Sequence, residues 1–198
     1  QQAFDAIHFC GTGCTQQQGC NIVRTHLLAI WPDCQDVVVE SDLVAAARSC
    51  WHTEAGVVCI LGSGSNVAYY DGEKIKEQRG GLGYVLGDEG AGADLGKILL
   101  AAHLNGDLPS DLSAELLHVH GLDRGEVISS LYQHPNPSRY LAQFAPIVKE
   151  WIGRSTYLEV AVMKRYRLLV AKFLLPLCRS YNVPKVAFVG SVAVHFKP

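Results

Sequence analysis

Cys59-Ile-Leu-Gly62-Ser63-Gly64-Ser65-Asn66-Val-Ala-Tyr-Tyr70-Asp71-Gly72-Glu-Lys-Ile-Lys76 is the stretch on which the fold turns. The apolar run from Gly56 to Leu61 reads as a buried strand. It ends in a loop of small residues, Gly62 to Asn66, and a second strand-like run follows. Asp71-Gly72 then separates that run from a third, alternating one, which is a strong hairpin signal. The glycine loop therefore joins strand to strand, whereas a Walker-type or Rossmann loop would join strand to helix. Glycines let backbone approach a ligand closely, and successive amides can point at phosphate oxygens. The hydroxyls of Ser63 and Ser65 add donors. The plainer alternative is an ordinary Gly-Ser hairpin loop that binds nothing.

Outward from this stretch, Ala6 to Cys10 predicts a strand ending in the turn Gly11-Thr12-Gly13-Cys14, read here as a plain strand-end turn. Gly19 to Trp31 has a helical apolar pattern closed by Pro32. Val37 to Val39 is the next strand. It leads to Glu40-Ser41-Asp42, where Ser41 or Asp42 can cap a helix from Leu43 to Cys50. Strand, helix, strand, helix is the order of an α/β layer. Asp42, at the carboxyl end of a strand, lies where such sheets bind ligands, and it could take a proton from a substrate hydroxyl. A mere N-cap is the alternative.

On the other side lies Gly80-Gly-Leu-Gly83-Tyr84-Val-Leu-Gly87-Asp88-Glu89-Gly90-Ala-Gly-Ala93, followed by a helix to Asn105. Asp88 and Glu89 either answer that helix's dipole or, for Asp88, bind sugar hydroxyls in a glycine-lined cleft. Pro109 to Val148 reads as a helical insertion, and residues 140–151 as one amphipathic helix whose aromatic side chains belong to the core. Ser155 to Tyr181 reads as a long helix with a solvated basic face (Lys164, Arg165, Arg167, Lys172, Arg179), kinked or ended by Pro176. Lys185 to Val189 is a buried strand ending at Gly190-Ser191, a turn into a new helix where a nucleotide could rest on backbone amides.

The 198 residues carry a net charge of −2 and no stripe of Lys or Arg, which gives no electrostatic reason to expect nucleic acid. No apolar run is long enough for a membrane span. The seven cysteines show no paired spacing, which argues against a disulfide framework. Cys10, Cys14 and Cys20 raise the question of zinc, but there is no Cys-x-x-Cys pair, and reduced thiols in a cytoplasmic protein are the blander reading.

Taken in order, Glu40-Ser41-Asp42, Ile60 to Asn66, Gly81 to Gly90 and Phe188 to Ala193 resemble the N-acetylglucosamine kinase group and its BadF/BcrA-type ATPase relatives. These belong to the sugar kinase, actin and chaperone superfamily. The resemblance implies an α/β, two-lobed ribonuclease H-like (actin-like ATPase) fold. Residues 1–54 would be the remainder of the N-terminal lobe. Residues 55–198 would be the C-terminal lobe, with the insertion at about 109–152. It further implies an ATP-dependent kinase acting on an amino sugar, with ATP and Mg2+ as cofactors. Asp42 would be the base; Gly62, Ser63 and Gly64 would hold the β- and γ-phosphates; Gly190 and Ser191 would form the adenosine-side turn. Ser65, Asn66, Gly83, Tyr84 and Asp88 would line the sugar site. No residue of this chain is assigned to a metal. The family's first phosphate loop, an Asp-Gly-Gly-type hairpin, has no counterpart before Ala6, and the closing helix is barely begun, so N- and C-terminal parts are expected to lie outside the chain. Partners would be sugar and ATP, with no nucleic acid and no membrane. The insertion could supply a homodimer contact. Two other readings stay open: an activator ATPase with a cysteine-held iron–sulfur cluster, and a nucleotide- or sugar-binding sensor without catalysis.

Overall fold

The computed structural model describes residues 4–196. Its centre is a four-stranded mixed sheet, in the order β5 (Ile75–Gly80), β4 (Ser65–Tyr70), β3 (Gly56–Leu61), β6 (Val186–Val189). The hairpin pairs β3 with β4 antiparallel, Leu61 opposite Ser65, and Asp71 closes the next turn by accepting the Glu73 and Lys74 amides on its carboxylate. On its other side β3 runs parallel to β6, with Ile60 opposite Val189. Strand β3 is buried on both faces, as a continuous apolar run should be. Val57, Cys59 and Leu61 enter the larger core, and Val58 enters a smaller one with Ala68 and Tyr70. Deep burial pushes the Cys59 thiol up to about 12.

A second, two-stranded sheet pairs β1 (Ala6–Gly11) with β2 (Asp36–Ser41) in parallel, Gly11 opposite Ser41. Helix α1 (Gln17–Ile30) crosses between them. Helix α2 (Asp42–Trp51) carries the chain to β3 and packs Leu43, Ala46 and Ala47 onto Val58, Ala68 and Tyr70. This joins the two sheets. The cap of α2 is Ser41, whose Oγ accepts the Val44 amide at 3.4 Å. Asp42 opens the helix and leaves the capping to its neighbour.

After β5 comes a short helix, α3 (Gly83–Leu86), inside the glycine-rich stretch. Helix α4 (Gly92–Asn105) follows and is the buried axis of the larger core. Its C-terminus is set by Gly106 in the left-handed region. The insertion is helical: α5 (Ser110–His118), α6 (Arg124–Gln133), α7 (Pro137–Ala142) and α8 (Ala145–Trp151). The single amphipathic helix expected over 140–151 is split. It breaks at Gln143 and Phe144, just before Pro146, whose ring cannot extend a helix from behind. Tyr140, Phe144 and Trp151 are buried core, as their periodicity requires.

The long helix after Ser155 also has a break. Ser155 caps α9 (Thr156–Leu169) by accepting the Leu158 amide, and a π-helical turn (Val170–Leu174) leads into α10 (Leu175–Ser180). Pro176 has no amide to donate one turn back, and the wider turn accommodates that loss. The basic face is not wholly solvated. Arg165 pairs with the fully buried Asp94, and Lys172 approaches the buried Glu89 at 3.8 Å. Helix α11 (Ser191–His195) follows β6. No helix among the described residues is long and apolar enough to cross a membrane.

Helices α4 and α7 touch at Gly96, where a Cβ would lie 1.9 Å from the Leu141 carbonyl oxygen. Gly96→Ala should therefore destabilise the fold by about 1–3 kcal/mol, the range for overpacking. The ~1 kcal/mol that alanine normally gains over glycine in a helix offsets only part of the clash with a backbone carbonyl. A denaturation midpoint that stays put or rises would show that the two helices separate freely.

Candidate functional site

Parallel strands that end at the same level leave their following loops side by side, which is where α/β sheets bind ligands. Here that happens twice. Strands β1 and β2 release Thr12-Gly13 and Asp42 together. Strands β3 and β6 release Gly62-Ser63 and Gly190-Ser191 together. Gly190 lies so close to β3 that a Cβ would stand 2.5 Å from the Leu61 carbonyl oxygen, and its φ of 117° excludes other residues as well.

Two cavities result. The first, of about 600 Å³, lies between the two sheets. The smaller sheet contributes Cys10, Thr12, Gly13 and Asp42, and the larger side contributes Ser63, Gly64, Ser65, Asn66, Gly83 and Asp88. The second, of about 470 Å³, is lined by Gly62, Ser63 and Ser191, by Ala142, Ala145 and Lys149 from the insertion, and by His195 and Phe196. Ser63 belongs to both. Asp42, Ser65, Asn66, Gly83 and Asp88 thus meet in one cavity with Ser63 and Gly64, while Gly62 and Ser191 meet in the other. Tyr84 lines neither; its ring packs against the larger core.

The loop between the cavities is braced from below. The carbonyls of Gly62 and Ser63 accept the Gly92 and Ala93 amides, at 2.8 and 3.0 Å, from the start of α4. The Gly62 amide donates to the Gly64 carbonyl, so it is spent inside the loop. At Gly62 itself a Cβ would meet open space. Asp88 braces the far end: its Oδ1 accepts the Ser65 amide at 3.2 Å. Its carboxylate is so near Gly64 that a Cβ there would lie 2.9 Å from Oδ2. The Asn66 Oδ1 is buried and accepts no hydrogen bond from the described residues. A buried acceptor left open on a cleft wall is costly unless a ligand or water answers it.

The second cavity is chemically mixed. It has an apolar wall of alanine, proline, valine and phenylalanine, a serine pair, a lysine and a histidine. Among the described residues that line it there is no carboxylate. The cleft carboxylates, Asp42 and Asp88, belong to the first cavity. The cysteines make no disulfide among the described residues. Cys20 donates its thiol to the Cys14 carbonyl. Cys10 lies beside His8 and Glu40, within 4.8 Å, but Arg48 already grips both Glu40 oxygens.

Several lining residues escape a reading of the sequence. Thr12 and Gly13 sit in a turn that looks ordinary, although its Gly-x-Gly at a strand end is a visible signal. Gln78 lines the cleft from β5. Lys149 and His195 are brought in by tertiary packing alone, and nothing in their local sequence marks them.

No protein-family model and no curated protein matches the chain. Solved structures do. The chain superposes on a Porphyromonas gingivalis protein described as a "Putative N-acetylglucosamine Kinase" with a TM-score of 0.88 and 34% identity, over 97% of this chain and 66% of that one. A Chromobacterium violaceum protein with the same description aligns with a TM-score of 0.73 and 22% identity, over 96% of this chain and 65% of that one; this second likeness concerns the fold alone. The chain spans about two thirds of the length of either.

Burial pushes the Asp88 carboxyl above the ordinary carboxylate range, and the Ser65 amide pulls it only part of the way back. The folded chain then keeps this proton at pH values where the unfolded chain has lost it. Asp88 therefore lowers stability as pH rises through that window. Asp88→Asn should melt at a higher temperature than the unaltered protein at neutral pH, with the difference closing as pH falls toward 3.8. Melting curves across that pH range check this; a gap that widens in acid would reverse the sign.

Two cavities meeting at a braced Gly-Ser loop thus lie in an α/β chain of mixed sheets and helices that is similar, at 34% identity, to the Porphyromonas gingivalis protein described as a "Putative N-acetylglucosamine Kinase".

Proposed function

We propose that this chain carries the sugar- and nucleotide-binding parts of an ATP-dependent kinase for an amino sugar, with N-acetylglucosamine as the first candidate. The observation that carries the reading is the meeting of the two cavities at Ser63. A sugar in the first cavity and a triphosphate in the second would face each other across that residue. The description of the Porphyromonas gingivalis neighbour, 34% identical to this chain, supports the same reaction. The reading includes a two-lobed, ribonuclease H-like fold of the actin type, divided at about residues 54 and 55, and a cytoplasmic setting in which the free thiols persist.

In this mechanism the Asp42 carboxylate takes the proton from a sugar hydroxyl. The freed oxygen attacks the γ-phosphorus in line, and the bond to the β,γ-bridging oxygen breaks to release ADP. Asn66, with its open acceptor, and Asp88 hold neighbouring sugar groups. The Ser63 hydroxyl and loop backbone meet the phosphates, and Ser191 and Lys149 lie along the nucleotide's path. Phosphoryl transfer depends chiefly on such positioning and on charge neutralisation, to which magnesium arriving with ATP contributes.

The test is ADP release by the full-length protein with Mg-ATP, with and without N-acetylglucosamine. Sugar-dependent release supports the proposal. Sugar-independent release replaces it with an ATPase, and no release with a panel of amino sugars replaces it with a binding protein. Asp42→Asn should lower turnover by roughly 10²–10⁴-fold, the range for losing a general base, without changing the melting temperature.

A further inference from the structure

The segment Tyr84–Gly90 carries Asp88 into the cleft in a conformation that a non-glycine residue seldom adopts, with φ of 60°. Such a conformation is unfavourable for a residue with a side chain, less so for Asp than for most, and it persists where the surroundings hold it. The surroundings here are three charged side chains outside the cleft. At one end of the segment, Lys97 Nζ donates to the Tyr84 carbonyl at 2.6 Å. At the other, the Gly90 amide donates to Asp94 Oδ2 at 2.9 Å. Asp94 ties the two together: its Oδ1 accepts from Arg165 at 2.9 Å and lies 3.6 Å from Lys97 Nζ. The Tyr166 ring closes over Gly90, where a Cβ would lie 2.8 Å from it.

Stability alone does not account for this arrangement. Asp94 is fully buried, and buried ion pairs are often matched in stability by apolar side chains of similar size. What an apolar group cannot do is accept the Gly90 amide in a fixed direction while drawing in the lysine that holds Tyr84. We propose that Asp94, with Arg165 and Lys97, forms a clamp that fixes the Tyr84–Gly90 segment and so positions Asp88 for the sugar. All three are positioning residues, since none lines either cavity. Their effect on sugar rests on the proposed function; their hold on the backbone does not.

The experiment compares full-length Asp94→Ala, Asp94→Asn, Arg165→Met and Lys97→Met with the unaltered protein. It reads amide hydrogen exchange over residues 84–90 and the separate KM values for N-acetylglucosamine and Mg-ATP. Asp94→Ala should speed exchange in that segment. It should raise the sugar KM roughly tenfold or more, as loss of positioning does, and leave the Mg-ATP KM unchanged. Asp94→Asn should recover part of both effects, because its amide oxygen can still accept from Gly90. Lower thermal stability with unchanged segment exchange, or faster exchange with an unchanged sugar KM, would overturn the proposal. Should Asp94→Ala fail to fold, Lys97→Met removes only the ammonium that holds Tyr84 and Asp94, and decides by the same readouts. If the unaltered protein turns over no amino sugar, the kinase reading falls. The clamp is then judged by segment exchange alone, and unchanged exchange in all four variants overturns it.

Discussion

The amides that open a helix have no partner within it, and α4 begins in the interior of the molecule, where water cannot supply one. This obligation organises the site. The Gly92 and Ala93 amides take the carbonyls of Gly62 and Ser63, and the Gly90 amide takes the carboxylate of Asp94. One buried helix start thus fixes two loops, the small-residue turn after β3 and the approach that carries Asp88. Because the carbonyls of the first loop turn inward to the helix, its serine and glycine surface is left to the cavities.

Strand direction does the remaining assembly. Parallel pairing of β3 with β6 brings together loops more than a hundred positions apart in the chain, and parallel pairing of β1 with β2 brings Thr12 beside Asp42, which lies well beyond its local sequence. Helix α2 belongs to both sheets, since it follows directly from β2 and buries its apolar face on β3 and β4. The cleft between the sheets therefore has walls tied by one short, well-packed helix rather than by a loose linker.

Local pattern made the strands legible. The apolar run at 56–61, the Asp-Gly turn and the alternation after it correspond to the sheet, because each is set by neighbours in sequence. Helix ends at Asn105 and near Ser155 were legible for the same reason. Interruptions were harder. The break at Gln143 and the π-helical turn at Val170 lie within sound amphipathic patterns, and only the prolines hint at them. The fate of charges was hardest of all. Arg165 and Lys172 look like any solvated basic residues, because their acidic partners are some seventy to eighty positions away. Of the cleft, the glycine loop and the two aspartates could be picked out by residue type; Gln78, Lys149 and His195 arrive through packing that no local window contains.

Ser63 is common to both cavities, and this restricts how such a site can change over generations. A larger or less polar side chain there would alter two compartments at once, so adaptation to a new ligand on one side would penalise the other. The outer walls belong to one compartment each, with Thr12 and Gln78 around one and Lys149 and His195 around the other. Those walls come from separate parts of the chain. A substitution in a wall reaches one compartment and a substitution at the partition reaches both, so differences in ligand choice among proteins of this shape should be sought first in the walls.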